Sequence, residues 1–375
     1  MTGGATVRPK KEVPVMKPKA LVAMSGGVDS TVALALTMEA GYDPIGVTMK
    51  LHSYRDRMGA GACGSAADIA DAARAAASLG VPHEVLDFSD DFAARIITPF
   101  IEAYEQGDTP NPCILCNRCM KFERLLVAAD RRGCEKIVTG HYARVVFDEA
   151  RGRYLLKKAL AAGKDQSYVL YFLSQQQLAR ISFPLGTFSS KDEVRREAVA
   201  RGFANAGKRD SQDICFVPDG DYAAFITART GKTYPAGNFI DREGHVLGTH
   251  AGFIRYTTGQ RKGLGIALGT PAYVLGKNAD DNTVTLGKNE DLFRREMYVR
   301  QVNLIDRDDL SVPVRLAVRP RYNAKEAPAT VYPASADTLR VVFDKPQRAL
   351  TTGQAAVFYD GENVVGGGTI CRVGE

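Results

Sequence analysis

The chain has no apolar run long enough to cross a membrane. Its longest, ALVAM and STVALALTM, fall far short of the roughly 20 residues that a span requires. No apolar h-region follows Arg8, Lys10, Lys11, Lys17 and Lys19, so residues 1–18 read as a disordered basic tail rather than a signal peptide. Repeats and low-complexity segments are missing too. The excess of one charge sign is small: 49 basic against 43 acidic residues leave +6, which permits an anionic partner such as nucleic acid without demanding one. Seven cysteines without a secretory signal fit the reducing cytosol, where thiols are more often catalytic or metal-binding than structural. A cytoplasmic location, no membrane association and a monomer are therefore expected. At 375 residues the chain exceeds one ordinary core, and two or three domains follow.

The clearest local logic lies in KALVAMSGGVDSTVALALTMEAG, Lys19–Gly41. Ala20–Met24 has the pattern of a buried parallel strand, SGGVDS (Ser25–Ser30) is a Gly-rich turn, and a helix follows that Gly41 can end. Such a turn gathers backbone N–H groups and a positive dipole end around an anion. Gly26 and Gly27 allow close approach, Ser25 and Ser30 add hydroxyls, and Asp29 would repel phosphate unless Mg²⁺ lay between them. The lysine of a P-loop is lacking. SGGVDS instead resembles the PP-loop of ATP pyrophosphatases, which hold pyrophosphate as a leaving group while AMP passes to a substrate.

The next elements predict a doubly wound parallel sheet. Pro44–Leu51, His83–Phe88 and Lys136–Ala143 (KIVTGHYA) read as strands, and Ser65 with Asp68 has capping-box spacing before a helix closed by Gly80. Ligands bind such sheets at the carboxyl ends of the strands, where Met49 and Gly140 fall. After about Val217 short strands alternate with Gly-rich turns, DREG and DGEN among them. The expected domains are a nucleotide-binding catalytic domain over 19–217, a β-rich middle domain over 218–292 and a C-terminal β-barrel over 293–375. Tyr256, Arg261 and Lys262 lie in one loop of these β modules, and Arg319, Arg321 and Tyr322 in another. Interleaved basic and aromatic residues suit RNA phosphates and stacked bases, but taken alone solvated surface charge is the better reading of them.

TPNPCILCNRCMKF, Thr109–Phe122, places Cys113, Cys116 and Cys119 at every third residue. By spacing alone they could be a metal or cluster site, half of a disulfide, or a reactive thiol with bystanders. With SGGVDS, TPNPCILCN, TGHYAR, KDQSYVLYFL, DSQDICF and TTGQRKGLGI in this order, the chain resembles the bacterial tRNA-specific 2-thiouridylases from about Lys19 onward. That resemblance implies sulfur replacing O2 of the wobble uridine in tRNA, with the tRNAs for Lys, Glu and Gln as substrates. It implies an ATP site at Ala23, Met24, Ser25, Gly26, Gly27, Val28, Asp29, Ser30, Met49 and Gly140. Target-base contacts fall on Asn111, Pro112 and Cys113. The nucleophilic cysteine matches Cys116 and the persulfide carrier matches Cys215. Contacts to tRNA match His141, Lys164, Asp165, Gln166, Arg321, Tyr322 and Gln354. One position departs from the family motif: an aspartate stands three residues before the nucleophile there, and Cys113 stands here.

The implied chemistry begins with attack of uridine O2 on the α-phosphate of ATP, with Mg²⁺ and the loop amides neutralising the pyrophosphate. A partner protein, a sulfur carrier or cysteine desulfurase relay, loads Cys215 as a persulfide. Cys116 then attacks it, sulfide reaches C2, and a Cys116–Cys215 disulfide is left. Helix N-termini, Lys121 and His141 are candidates to favour the thiolate. The alternative is a [4Fe–4S] cluster on Cys113, Cys116 and Cys215 with one iron open for sulfide. The persulfide relay is preferred, because two thiols suffice and the aspartate form of the motif lacks one cluster ligand. Cys119 is expected to be incidental, and Cys63, Cys134 and Cys371 to be packing residues. Two other classes stay open: a PP-loop adenylating ligase, which needs no paired cysteines, and a non-catalytic RNA-binding protein.

Overall fold

A computed structural model describes residues 16–52, 65–208, 214–217, 220–335 and 337–374. Most of the basic tail, Cys63 and the first residues of the DSQDICF motif lie outside the described residues.

Strands β1 (Lys19–Ala23), β2 (Asp43–Lys50), β3 (His83–Asp87) and β4 (Cys134–Val138) begin a parallel sheet. The chain then leaves it for a hairpin, β5 (Ala143–Asp148) and β6 (Arg153–Lys158), and returns as β7 (Ile181–Ser182). The sheet order is β3-β2-β1-β4-β7. Successive residues of β1 point to opposite faces. Ala20 and Val22 pack with α1 (Val28–Glu39) and α2 (Ala66–Ser78), while Leu21 packs with Leu125, Ala128 and Ala129 on the other face. Helices on both faces explain why β1 reads as an unbroken apolar run. α3 is built of the consecutive segments Ser89–Phe92, Ala93–Ile97 and Thr98–Glu105. α4 joins Pro112–Cys116, a π-wound stretch Asn117–Arg124, and Leu125–Arg131. α5 (Gln175–Arg180) and α6 (Lys191–Ala200) complete the layer.

The middle region opens with α7 (Tyr222–Thr230), capped by Asp221, a helix that the strand-and-turn reading of this region lacks. Strands β8 (Gly237–Ile240), β9 (Val246–His250), β10 (Tyr273–Asn278) and β11 (Thr283–Gly287) form a sheet in the order β10-β11-β8-β9. DREG makes the β8–β9 turn, with Gly244 at φ +89°. The last region holds β12 (Phe293–Leu304), β13 (Val314–Arg319), β14 (Ala327–Ser335), β15 (Thr338–Arg348), β16 (Ala355–Asp360) and β17 (Asn363–Val373). β12 pairs with both β15 and β17, closing a six-stranded antiparallel barrel.

One expectation about elements needs correction. KIVTGHYA is not one strand: β4 ends at Val138 and β5 starts at Ala143 in a different sheet. The break has a packing cause, because a Cβ on Gly140 would lie 3.0 Å from Asp29, so the chain must turn there against the nucleotide loop. The α/β region is joined to the barrel by strand pairing. Its β5–β6 hairpin extends the barrel sheet through β6 and β17, with Asn363 opposite Lys157.

Candidate active site

The SGGVDS turn is held from outside by its carbonyls. Asn205 Nδ2 donates to Gly26 O at 3.1 Å and to Thr31 Oγ1 at 2.9 Å, and Lys208 Nζ reaches Gly26 O at 3.4 Å. Lys208 is itself fixed by Asp68 and Asp71 of α2, at 2.8 and 2.7 Å. Gly26 adopts φ +72°, and a Cβ there would come within 2.5 Å of Asp68 O, so only glycine fits. The Ser30 hydroxyl accepts from Ser25 N and donates to Gly27 O, closing the turn. α1 begins after Gly27, which supplies no side-chain cap, so the first-turn amides remain available to an anion. Ala23, Met24 and Val28 form the floor: Met24 N donates to Val47 O at 2.8 Å, and Val28 is buried. Met49 sits on β2 against two core clusters, and Gly140 lies against Asp29.

Asp29 has partners that its sequence neighbours do not reveal. Lys191 Nζ lies 2.6 Å from Oδ2, and the Tyr142 hydroxyl donates to Oδ1 at 2.8 Å. Lys191 is buried at the first position of α6. Mg²⁺ was expected between Asp29 and the phosphates; in the structure the cationic partner of this carboxylate is Lys191. Among the described residues, no group of three or more His, Cys, Asp or Glu side chains gathers to hold a metal.

The cysteine segment is organised by its turn. Asn111 caps α4, its Oδ1 accepting from Cys113 N at 3.2 Å, and Pro112 fills the first helical position with its ring buried. Cys113 is exposed one position further on, and Cys116 is half-buried a turn later. Cys116 and Cys215, distant in sequence, pack against the same core cluster around Phe92, Phe100 and Phe216. The charges of Arg319, Asp165, Cys113 and Lys164 all act on Tyr322, whose hydroxyl burial pushes up. Cys119 is buried, and burial pushes its thiol up.

The residues matched to tRNA contacts divide into two groups. Lys164 is exposed, and Tyr322 is half-buried with the Arg319 guanidinium 5.4 Å from its ring centre. The others are largely internal. Arg321 Nη2 donates to Ala349 O at 3.1 Å and Thr351 Oγ1 at 2.8 Å. Asp165 accepts from Ala159 N, Ser167 N and the Ser167 hydroxyl, and Gln166 accepts from Tyr142 N. Gln354 donates to Thr109 O at 2.6 Å, tying the barrel to the base of the cysteine turn. His141 is 6% exposed, between Phe122 and Phe183. Its Nδ1 contacts Thr139 Oγ1 at 2.6 Å, and its Nε2 contacts Asn117 Oδ1 at 3.1 Å. Burial, with Lys121 nearby, holds its pKa well below the usual histidine range. A neutral imidazole cannot supply the positive charge that the sequence reading gave it; Lys121 can. Tyr256, read as an RNA-stacking residue, is core, edge-on to Phe239 at 5.2 Å.

Lys191, Tyr142, Asn205, Lys208 and Asn117 were missed by sequence reasoning. Lys191, Asn205 and Lys208 reach the site from elements remote in the chain, while Tyr142 and Asn117 stand inside the motifs TGHYAR and TPNPCILCN, whose local pattern does not show their partners.

The fold and site define a chain of HUP type with two appended β modules. The family described as tRNA methyl transferase HUP domain matches residues 18–219. The tRNA methyl transferase PRC-barrel domain matches 223–288, and the aminomethyltransferase β-barrel domain matches 294–370. The full-length relatives are more specific. The tRNA-specific 2-thiouridylase MnmA of Clostridioides difficile is 47% identical, covering 95% of this chain and 98% of its own. Those of Acetivibrio thermocellus and Moorella thermoacetica are each 48% identical, covering 94% and 95% of this chain and 99% and 100% of theirs. The chain belongs to the tRNA-specific 2-thiouridylase family.

Proposed function

We propose that the protein replaces O2 of the wobble uridine of tRNA by sulfur, consuming ATP and forming AMP and pyrophosphate. The observation that carries the mechanism is the shared packing of Cys116 and Cys215 on one core cluster, beside an exposed turn at Cys113. ATP binds at Ala23–Ser30, with its phosphates at the start of α1, and Met49 and Gly140 border the nucleoside. Uridine O2 attacks the α-phosphorus, the bond to the bridging oxygen breaks, and pyrophosphate leaves against the loop amides. Lys191, already paired with Asp29, adds fixed positive charge behind the loop. Mg²⁺, when present with ATP, would add charge neutralisation on the phosphates.

Sulfur arrives as a persulfide on Cys215 from a carrier protein. The Cys116 thiolate attacks the inner sulfur of that persulfide. The Cys116–Cys215 bond forms, the S–S bond to the outer sulfur breaks, and hydrosulfide leaves with the electron pair. Hydrosulfide adds to C2, AMP departs, and a dithiol reductant returns both cysteines to thiols. The target uridine lies at Asn111, Pro112 and Cys113, with Tyr322 and Lys164 alongside. Arg321, Asp165, Gln166, His141 and Gln354 hold that surface in place from beneath.

The test is ATP–pyrophosphate exchange with and without tRNA, run on the unaltered protein and on Cys116→Ser and Cys215→Ser. Exchange that needs tRNA and persists in both variants, while thiolation disappears, is the expected result. Exchange driven by a small acid would mark a ligase, and none under any condition would mark a binding protein.

A further inference from the structure

The start of α4 carries two thiols one turn apart, Cys113 and Cys116, and Cys215 packs on the same core cluster as the second of them. The relay uses Cys116 and Cys215 and leaves them joined. It gives no task to the thiol of Cys113, which stands where the family motif has an aspartate.

The first turn of α4 is regular: Ile114 N donates to Asn111 O at 3.2 Å, and Asn117 N donates to Cys113 O. In α geometry, residues three apart share one face with Cα atoms about 5 Å apart, inside the span that a disulfide bridges. The Asn111 cap holds the outer end of this turn, so Cys113 is open to solvent while Cys116 lies a turn deeper and half-buried. Cys119 is also three residues from Cys116, but it stands in the π-wound stretch and is buried in the core cluster. A disulfide made there would be out of reach of a reductant. Of the two thiols one turn from Cys116, only Cys113 is open to an external dithiol.

We propose that Cys113 is the resolving thiol of the cycle, moving the disulfide left by sulfur transfer from Cys116–Cys215 to Cys113–Cys116. The inference rests on the persulfide relay and adds to it the step that resets the relay. The Cys113 sulfur attacks Cys116 Sγ. The Cys113–Cys116 bond forms, the Cys116–Cys215 bond breaks, and Cys215 leaves with the electron pair and takes up the proton that Cys113 gives up. No electrons enter or leave the protein at this step. Cys215 is thereby a thiol again, ready for the next persulfide, before any reductant acts. An external dithiol then attacks the exposed Cys113 sulfur; its two thiols become a disulfide, and Cys113 and Cys116 return as thiols. The aspartate form of the motif has no such thiol, and there the reductant must act on the pair of the relay directly.

The experiment is one turnover without reductant. The protein is loaded with sulfur by a cysteine desulfurase and L-cysteine, desalted, and given tRNA and ATP. Samples are quenched over time with an alkylating reagent and digested for disulfide mapping by mass spectrometry. In the unaltered protein the Cys116–Cys215 pair should appear and decay as the Cys113–Cys116 disulfide grows, with Cys215 alkylated. In Cys113→Ser and Cys113→Asp the Cys116–Cys215 pair should form and persist, at roughly ten times its final level in the unaltered protein. Weaker binding of the target base in these variants would lower the yield of disulfide without changing which cysteines are joined. A Cys116–Cys215 pair that persists equally in the unaltered protein would overturn the proposal. Thiolation with no disulfide at Cys116 in any of the three proteins would bring down the relay itself, and this inference with it.

Discussion

Cys113 stands one position inside a helix whose cap and first residue are fixed by Asn111 and Pro112, so its side chain is presented rather than buried. The persulfide relay asks nothing of it beyond proximity to the base. Cys113→Asp, which restores the family motif, should therefore keep substantial thiolation in air and under anaerobic conditions alike. Cys119→Ser should leave sulfur transfer unchanged, because the relay uses only Cys116 and Cys215, while the buried hydroxyl lowers stability by about 1–3 kcal/mol. A cluster mechanism predicts the opposite for Cys113→Asp, since a hard carboxylate replaces a soft thiolate ligand. Loss of activity together with loss of bound iron would defeat the relay. Asp29 and Lys191 raise a separate matter at the same scale. Breaking a partly buried ion pair from one side strands the other charge. Lys191→Met should lower adenylation on the order of 100-fold, a size typical of losing one preorganised charge near a leaving group. Affinity for tRNA should hold. Near-normal pyrophosphate exchange in this variant would remove Lys191 from the phosphate site.

At the scale of elements, α4 links the two halves of the site. Asn117 begins its π-wound stretch one residue after Cys116, donates to Val169 O at 3.5 Å, and meets His141 behind Gly140. Thr139, His141 and Asn117 form a buried polar bridge between the β4–β5 link, which lies against Asp29 at Gly140, and the cysteine helix, and π-wound stretches often mark functional positions. His141→Phe keeps an aromatic ring, a larger one, but leaves the Thr139 hydroxyl and the Asn117 amide oxygen without this partner. The expected cost is about 2–4 kcal/mol in urea unfolding, with slower sulfur transfer. Because burial depresses the His141 pKa, the unfolded state takes up the proton first. Stability should fall as pH drops through about 6.5, and that acid sensitivity should shrink in the variant. If tRNA affinity fell while stability and its pH dependence held, His141 would be a direct RNA contact instead. Local grammar made the elements legible: Ser65 caps α2 by accepting from Asp68 N, and Gly41 and Gly80 take left-handed φ after α1 and α2 as their positions predict. What stayed illegible was contact across the chain. KIVTGHYA has strand composition throughout, and only Asp29, far upstream, shows why it must break at Gly140. Likewise nothing in SKDEV announces that Lys191 meets Asp29.

Across the whole molecule, the turn before Cys113 is gripped from two sides. From the barrel, Thr352 O accepts from Thr109 N at 3.2 Å, and Gly353, at φ +82°, passes so close that a Cβ would lie 3.1 Å from Asp108. From the middle region, Lys277 of β10 reaches over the Tyr104 ring at 5.3 Å, with its backbone against Gly107 and the Asp108 carboxylate nearby. Its Nζ is buried and has no hydrogen-bond partner among the described residues. Burial pulls the Lys277 pKa down to about 8, with Asp108 opposing the shift. A lysine whose folded pKa lies below its unfolded value costs stability wherever the unfolded chain holds the proton and the fold resists it. That cost is full below about pH 8 and fades as pH rises toward the ordinary lysine value near 10.4. Lys277→Met keeps the length and apolar stem of the side chain while removing the charge. At pH 7 it should therefore stabilise the junction by about 2–3 kcal/mol, less whatever attraction to Asp108 is lost. The gain should shrink steadily between pH 8 and 10.5, following the titration of the wild-type amine. Thermal midpoints of both proteins across that range give the measurement. A variant less stable than the wild type at pH 7, by a margin independent of pH, would show that Lys277 is bonded at the junction and charged at no cost.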